Sequence, residues 1–378
     1  MFNYTNQQMK NNIVYLSGLN GLRSIAALSV VISHIAGSIN GFNVKIYLFG
    51  INKNGLPNGW NLGSNGVTIF FVLSGFLITY LLLLERKKAP ISIRKFYIRR
   101  VLRIWPVYYM YFFVCILIIL SLGENIGLDA FFYYLFFAAN IPFVFEFTLP
   151  FLAHFWSIGV EEQFYLFWPW LIKKTKQNSF TIILSTVIVI NVIRYFLWWK
   201  YPFSDSAIFS IVNRFDCMMV GGLGAILFYE KNTFFLKLFD NKITQLLAWI
   251  IMILMAFNIK FINSIVDTTI VTAISLILIV GQINVKNRLI NLELPFFNFI
   301  GKISYGIYVY HMLIIFIFSN LFKYIDLQEN YKLFLVYGSV ISASIILAYI
   351  SYEYFEKYFI KLKNNFAVVK SSASRPNK

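Results

Sequence analysis

Ten apolar segments, each long enough to cross a lipid bilayer, run through this chain of 378 residues. A helix needs roughly 20 apolar residues to span about 30 Å of hydrocarbon, and lipid offers no partner to an open strand edge or loop. The sequence therefore predicts an all-α fold, a polytopic integral membrane bundle of about ten transmembrane helices. The segments lie near residues 17–37, 62–84, 103–121, 155–172, 180–199, 207–229, 243–258, 265–282, 297–319 and 333–358.

The composition supports this fold class and decides how the basic charge is interpreted. Hydrophobic residues make up 59% of the chain and charged residues 13%, whereas soluble domains are about a quarter charged. The net charge of +17 would suggest nucleic acid if the basic residues lay on one solvated face. They lie between the apolar segments instead, eight of them in residues 86–103. This pattern indicates a lipid bilayer as partner, no nucleic acid, and basic loops on the cytoplasmic side.

For one further apolar segment, at 127–150, the sequence alone does not decide whether it crosses the membrane. Four residues interrupt it, so it is an eleventh span, an interfacial helix or a re-entrant segment: Asn140, Pro142, Glu146 and Pro150. Counting it as a span would place the basic cluster at 173–176 outside the cell. We therefore expect ten spans, with both termini cytoplasmic, in an inner or plasma membrane.

The expected domain organisation follows from this topology. It comprises a cytoplasmic N-terminal segment at 1–16, a transmembrane domain at 17–358 and a basic cytoplasmic tail at 359–378. Cys115 and Cys217 fall in apolar segments, so they are predicted to be packing residues and not a disulfide. The three histidines lie on different segments without ligand spacing, so no metal site is expected.

Arg23 and His34 share the first apolar segment. Their spacing brings them within roughly 20° of one helix face, about 16 Å apart along the axis. Polar groups at this depth are costly and usually functional. A guanidinium suits phosphate or carboxylate, and an imidazole suits general acid/base work or transient acylation. The alternative is a snorkelling arginine with a histidine hydrogen-bonded in the bundle.

The second cluster is basic and lies where the third segment begins. Arg99, Arg100 and Arg103 occur in the stretch FYIRRVLRIWP. Arg100 and Arg103 are three residues apart and share a helical face, so together they could grip a phosphorylated ligand. The alternative is a positively charged anchor beside Trp105.

The third cluster places a histidine and two carboxylates at the outer start of the fourth segment. His154, Glu161 and Glu162 occur in HFWSIGVEEQFYLFWP. His154 and Glu161 fall on one helical face, where a carboxylate could orient an imidazole or bind a sugar hydroxyl. A structural, hydrogen-bonded role for one of the two glutamates is the alternative.

Other buried charges complete the candidate set. Arg214 and Asp216 lie two residues apart, so each must find its partner on another span, and the Gly221–Gly222 pair permits close helix approach. His311 is either a core histidine or a catalytic one. The residues predicted for the substrate side are His154, Arg214, Asp216 and His311.

Five motifs occur in a fixed order along the chain. They are Arg23-x10-His34, GVTIFFVLSGFLIT at 66–79, Arg100-x-x-Arg103, FWSIGVEEQFY at 155–165 and ISYGIYVYH at 303–311. Together they resemble the membrane-bound acyltransferase 3 family, and the resemblance runs from about Ser17 to about Tyr358.

The resemblance implies an enzyme, an O-acyltransferase. Such an enzyme moves an acyl group, usually acetyl from cytoplasmic acetyl-CoA, to a hydroxyl of a glycan or glycolipid of the O-antigen, capsule or exopolysaccharide type. Acyl-CoA is then a co-substrate, and no permanently bound cofactor is expected. The implied site residues are His34, Glu161 and Glu162 for catalysis and Arg23, Arg100 and Arg103 for acyl-CoA.

The chain departs from the family pattern in two places. Thr68 stands where family members commonly have an acidic residue, and the chain ends soon after Tyr358, where some members continue into an esterase-like domain. We therefore expect the stand-alone type.

Direct attack by the acceptor and an acyl-histidine intermediate both fit the sequence. In either route, Glu161 is expected to orient His34. The alternative from another functional class is a multi-pass transporter or glycan flippase.

Overall fold

A computed structural model describes residues 9–10, 13–52, 55, 57–175, 178–257, 259 and 264–371. The rest of the predicted N-terminal segment, Lys176 and residues 372–378 of the predicted tail lie outside this description. The fold is an all-α membrane bundle, as the apolar segments predict.

The long helices follow the apolar segments closely. They are α1 (Leu19–Gly37), α2 (Asn61–Lys88), α3 (Ile93–Ser121), α6 (Trp156–Thr175), α7 (Ser179–Lys200), α9 (Phe215–Tyr229), α11 (Lys242–Ala256), α12 (Ser264–Ile283), α14 (Ser304–Phe322) and α15 (Glu329–Ser351).

Shorter helices extend or connect the long ones. They are α4 (Leu128–Leu135), α5 (Asn140–Val144), α8 (Asp205–Val212), α10 (Thr233–Phe239), α13 (Pro295–Lys302) and α16 (Lys357–Asn364). A π-helical turn at Tyr352–Glu356 joins α15 to α16, so the last helix continues beyond the predicted end of its span at Tyr358.

The segment 127–150 does not span the bundle. It forms α4 and α5, and at 1.5 Å per residue a helix of eight residues is only about 12 Å long. Asn140 begins α5, and the main chain at Glu146 is left-handed, with a φ of 59°. The predicted non-spanning segment is therefore confirmed.

Two segments close to the termini, residues 9–14 and 370–371, meet at one end of the bundle. Three short strands, β1 (Met9–Lys10), β2 (Ile13–Val14) and β3 (Lys370–Ser371), form one sheet in the order β1-β2-β3. β2 pairs with β3 in parallel, with Ile13 opposite Lys370. Because β2 and β3 lie side by side, the chain between them crosses the membrane an even number of times.

This parity bears on the number of spans. Eight helices or continuous helix pairs among the described residues are long and apolar enough to cross a membrane, and α10 with α11 makes a ninth despite a bend of 54°. α6 has 20 residues, enough for about 30 Å, but it carries Glu161, Glu162, Lys173 and Lys174. If the bent pair crosses, parity requires that α6 crosses too. The even count agrees with the predicted ten spans, which stay a prediction.

Glycines bring α2 and α9 into close contact, as the Gly221–Gly222 pair predicts. A Cβ atom on Gly221 would lie 2.2 Å from the carbonyl oxygen of Val72, and one on Gly75 would lie 1.9 Å from that of Met218. Without an aqueous phase between helices, such backbone contact is what holds membrane helices together. α2 also packs against α1, α6, α11 and α12, so it lies at the centre of the bundle.

Cys115 and Cys217 are both buried and free, as the sequence predicts. The Cys217 thiol lies 3.1 Å from the hydroxyl of Thr272, so it packs between α9 and α12.

The topology can be tested by cysteine labelling. Lys87, Glu124 and Lys174 are exposed, and both native cysteines are buried. We expect a membrane-impermeant maleimide to label Glu124→Cys in intact cells, and to label Lys87→Cys and Lys174→Cys only after permeabilisation. Labelling of Lys174→Cys in intact cells would show that α6 does not cross.

Candidate active site

A cavity of about 450 Å³ runs into the bundle from the end where the termini meet. We call it the central cavity; its volume falls in the range of roughly 300–1,000 Å³ that small-molecule sites occupy. On α2 its lining runs from Val67 to Leu81, about 21 Å along the helix axis. The cavity therefore reaches through much of the thickness of the membrane.

The charges that line the central cavity are mostly positive. Five basic and two acidic side chains face it: Arg23, Arg100, Arg103, Lys302, Lys363, Glu161 and Glu356. Walls of low dielectric constant concentrate the field of such a cluster. The cavity is suited to an elongated ligand with several negative charges.

Arg100 and Arg103 both line the cavity, as their shared helical face predicts. The Arg100 guanidinium lies 5.4 Å from the ring centroids of Phe96 and Tyr165. Its Nε is buried and has no hydrogen-bond partner among the described residues. A buried donor without a partner is costly, which is what a site built for an absent anionic ligand would show.

Arg99 lies apart from this pair. Its guanidinium forms a buried ion pair with Glu85 at 2.9 Å and donates to the carbonyl oxygen of Phe366 at 3.0 Å. The anchoring role that the sequence leaves open for the whole cluster therefore suits Arg99, which ties α3 to α2 and to the C-terminal segment.

The two neighbouring glutamates have different surroundings. Glu161 faces the cavity, where its carboxylate accepts hydrogen bonds from Ser74, at 2.5 Å, and from Tyr165. Glu162 is turned away and accepts from the indole Nε1 of Trp105 at 2.9 Å. The sequence could not separate the two, and the structure places Glu161 in the cavity.

The far end of the cavity is formed by Ser157 and Tyr308. Their hydroxyls are 2.6 Å apart, and that of Tyr308 donates to the backbone oxygen of His154 at 2.7 Å. Beyond them lie the three histidines of the chain, His34, His154 and His311, which we call the histidine cluster.

The histidine cluster joins α1, α14 and the 3-10 turn before α6. His34 Nδ1 lies 2.7 Å from His311 Nε2, and the two rings lie edge to edge, within 12° of parallel and with centroids 5.0 Å apart. The ring of His154 meets that of His311 edge-on at 4.9 Å. His154 and His311 are 3% and 0% exposed, whereas His34 is only partly buried.

The sequence did not predict this cluster, and it corrects one expectation. Glu161 was expected to orient His34, but its carboxylate is bonded to Ser74 and Tyr165. The ring nitrogen of His34 meets His311 instead. The helix order alone gives no signal that residues 277 positions apart would touch.

Arg23 also lines the cavity, near the end where the termini meet. Its guanidinium donates to the side-chain oxygen of Asn20 at 3.1 Å. Arg23 thus faces the cavity, whereas His34, eleven residues further along α1, lies in the histidine cluster.

Arg214 and Asp216 find partners on other helices, as predicted from their spacing. Asp216 accepts two hydrogen bonds from Arg194, at 2.6 and 2.8 Å, and breaking a buried pair of this kind costs about 3–5 kcal/mol. Arg214 donates to Ser64 and to the Thr68 hydroxyl, the latter at 2.9 Å. A hydroxyl therefore meets Arg214 where the resemblance leads us to expect a carboxylate.

Three charged cavity residues were missed from the sequence. Lys302 ends α13, Glu356 ends the π-helical turn, and Lys363 lies on α16. Such turns in a helix often occur at functional sites. The sequence assigns Lys363 to the basic tail, but the helix formed by residues 357–364 buries its side chain.

Metal binding has no support from the geometry of the described residues. Among them, no group of three or more His, Cys, Asp or Glu side chains is arranged to hold a metal ion. The expected absence of a metal stays a prediction.

Comparison with known families matches residues 16–353 to the acyltransferase 3 profile, described as an acyltransferase domain. The chain belongs to the acyltransferase 3 family. Every site residue predicted from the sequence lies inside the matched segment, whereas Glu356 and Lys363 lie beyond it. No solved structure matches the chain.

Several curated proteins are similar to this acyltransferase 3 chain. A Staphylococcus aureus (strain COL) protein named "Putative O-acetyltransferase" is 29% identical over 377 residues, 92% of this chain and 58% of that protein. The peptidoglycan O-acetyltransferase OatA of Listeria monocytogenes is 33% identical over 167 residues, 41% of this chain and 24% of that protein. The chain thus spans about 58% of the length of the first of these relatives.

Proposed function

We propose that this acyltransferase 3 chain transfers an acetyl group from cytoplasmic acetyl-CoA to a hydroxyl of an extracytoplasmic or membrane-associated glycan. The observation that carries the proposal is the central cavity, which is rich in arginine and lysine at one end and at the other ends at Ser157 and Tyr308, next to the histidine cluster. The names of the relatives support acetyl as the group transferred.

The donor fits the charges of the cavity. Acyl-CoA carries several phosphates on its nucleotide and a long, uncharged pantetheine arm. Arg100, Arg103, Lys302 and Lys363 would bind the phosphates, with Arg100 Nε among the donors. The apolar side of α2 from Leu81 to Val67 would hold the arm, so that the thioester comes to rest beside Tyr308.

The chemistry falls to His34. As a general base it would take the proton of the acceptor hydroxyl while that oxygen attacks the thioester carbon and the CoA sulfur leaves. As a nucleophile it would carry the acetyl group briefly as an acyl-imidazole. Both routes require a neutral imidazole, and neither requires a metal.

The acceptor would approach from the opposite end of the bundle. Trp60 lies there, half-exposed, with its indole against Gly37 and its backbone oxygen accepting from Ser33 at 2.8 Å. An exposed aromatic ring one helical turn from His34 offers a flat apolar surface to a sugar. O-antigen, capsule and exopolysaccharide are the glycan types we propose, with peptidoglycan suggested by the Listeria relative.

A transfer assay tests the function. In membranes supplied with radiolabelled acetyl-CoA and cell-envelope glycan, we expect label in a glycan fraction with the wild type. We expect about 10²- to 10⁴-fold less label with His34→Ala and with His34→Gln, because a positioned general base contributes that much to rate. Equal labelling by folded His34 variants would contradict the role of His34. Uptake of a glycan without consumption of acetyl-CoA would favour a transporter.

A second assay tests the donor site. We expect Arg100→Ala to raise the KM for acetyl-CoA by about ten- to a hundredfold, since a hydrogen bond to a charged group contributes roughly 1.5–3 kcal/mol. With acetyl-pantetheine, which lacks the nucleotide phosphates, wild type and Arg100→Ala should be equal.

Arg94→Ala is the matched control for this assay. It removes the same charge from the same end of α3, but Arg94 is exposed and outside the cavity lining. An unchanged KM for acetyl-CoA in Arg100→Ala would contradict phosphate binding by Arg100 and would favour the alternative, a positively charged membrane anchor.

A further inference from the structure

The contact between His34 and His311 fixes where their protons lie. His34 Nδ1 and His311 Nε2 are 2.7 Å apart, within the distance of a hydrogen bond. One of these two nitrogens therefore carries a hydrogen and the other presents a lone pair. Which is which depends on the remaining contacts of each ring.

The second nitrogen of His311 decides the assignment. His311 Nδ1 lies 3.2 Å from the backbone oxygen of Ile307, one turn earlier on α14. A carbonyl oxygen can only accept, so Nδ1 must be the donor. A neutral imidazole has one N–H, and His311 Nε2 is therefore the acceptor.

The acceptor nitrogen of His311 in turn determines the tautomer of His34. Because His311 Nε2 accepts, His34 Nδ1 must donate, and His34 Nε2 is left with the free lone pair. The tautomer of His34 is thus set by a backbone carbonyl on α14, through the ring of His311.

His154 holds the ring of His311 in place from its other side. Its Nε2 donates to the backbone oxygen of Val309 at 3.1 Å, and its ring meets that of His311 at 69°. Tyr308 packs against both rings, with centroids 5.4 and 5.8 Å away. The acceptor nitrogen of His311 is therefore held by packing as well as by its own hydrogen bond.

We propose that His311 is a positioning residue that holds His34 as the Nδ1–H tautomer, so that Nε2 is the atom of His34 that reacts. This inference rests on the proposed function for its chemistry, although the tautomer itself can be observed without any activity. A neutral imidazole here takes the place that a carboxylate has in a serine hydrolase triad.

In the direct route, His34 Nε2 takes up a proton and then releases it. The acceptor O–H breaks as a new N–H forms at His34 Nε2, the oxygen bonds to the thioester carbon, and the C–S bond breaks. The proton on Nε2 then moves to the departing CoA sulfur. While His34 is protonated, its Nδ1–H still donates to His311, which stabilises the imidazolium. In the acyl-imidazole route Nε2 bonds to the acetyl carbon as the C–S bond breaks, which gives CoA thiolate and an acetylimidazolium that keeps its Nδ1–H. The acceptor oxygen then attacks the acetyl carbon, its proton passes to the thiolate, and the Nε2–C bond breaks to return neutral His34.

Solid-state ¹⁵N NMR of histidine-labelled protein in bilayers measures the tautomers directly. The chain has three histidines, hence six ring nitrogens, which single variants assign. We expect His34 and His311 to be protonated at Nδ1 and His154 at Nε2, with a through-hydrogen-bond correlation between His34 Nδ1 and His311 Nε2. A proton on His34 Nε2 in the wild type would overturn the proposal, whether or not transfer activity is found.

Variants of His311 separate positioning from a general structural role. In His311→Ala we expect a signal from protonated His34 Nε2 to appear. His154→Gln keeps the hydrogen bond from His311 Nδ1 to the backbone oxygen of Ile307, which fixes the His311 tautomer, so the His34 tautomer should be unchanged. An unchanged His34 tautomer in folded His311→Ala would also overturn the proposal.

The kcat and KM of His311 variants test the positioning role independently of the NMR spectra. We expect kcat to fall about 10²-fold in His311→Ala, with the KM for acetyl-CoA changed less than about twofold because the central cavity is intact. His311→Gln, whose amide oxygen can accept from His34, should recover part of kcat. A rise in KM with kcat unchanged would contradict a positioning role.

Discussion

The cost of placing charge inside a membrane governs how this bundle is built. Arginine, lysine and carboxylate side chains are tolerated between transmembrane helices only when they pair with one another or face a polar cavity. The chain uses both solutions. Arg194 with Asp216 and Arg99 with Glu85 form buried ion pairs that join helices. Arg100 and Arg103 face the central cavity, and among the described residues no carboxylate lies within ion-pair distance of either.

This division separates residues that hold the fold from those available to a ligand. The paired arginines lie at contacts between α7 and α9 and between α2 and α3, where loss of one partner would leave a buried charge. The cavity arginines have no ion-pair partner among the described residues; their direct contacts include the rings of Phe96 and Tyr165 and the amide of Asn20. A phosphorylated ligand would supply the missing negative charge.

The helices also divide the site along the membrane normal. The cationic end lies beside the paired termini, and the histidine cluster lies near the ends of the loops at 38–60 and 122–155. A donor bound from one side and an acceptor bound from the other would meet at Tyr308 and His34. An acyl group could then cross the membrane without an open path for water or ions, because the cavity ends at Ser157 and Tyr308.

Much of the fold could be predicted from the sequence, but only part of the site. The apolar segments predict the long helices because backbone polar groups in lipid must be hydrogen-bonded within their own segment. The shared face of Arg100 and Arg103 follows from helix geometry alone. The contact between His34 and His311 depends on how α1 packs against α14, which local periodicity does not encode. Lys363 and Glu356 could not be recognised, because a π-helical turn and the docking of α16 on α3 bring them to the cavity.

The most direct test of this account is a cryo-EM structure with a non-transferable acetyl-CoA analogue in which a thioether replaces the thioester. We predict density for the nucleotide phosphates at Arg100 and Arg103, the pantetheine arm along α2 from Leu81 towards Val67, and the sulfur beside Tyr308, facing His34. An analogue bound elsewhere, or one whose sulfur stays at the cationic end far from the histidine cluster, would contradict the proposed path of the acyl group.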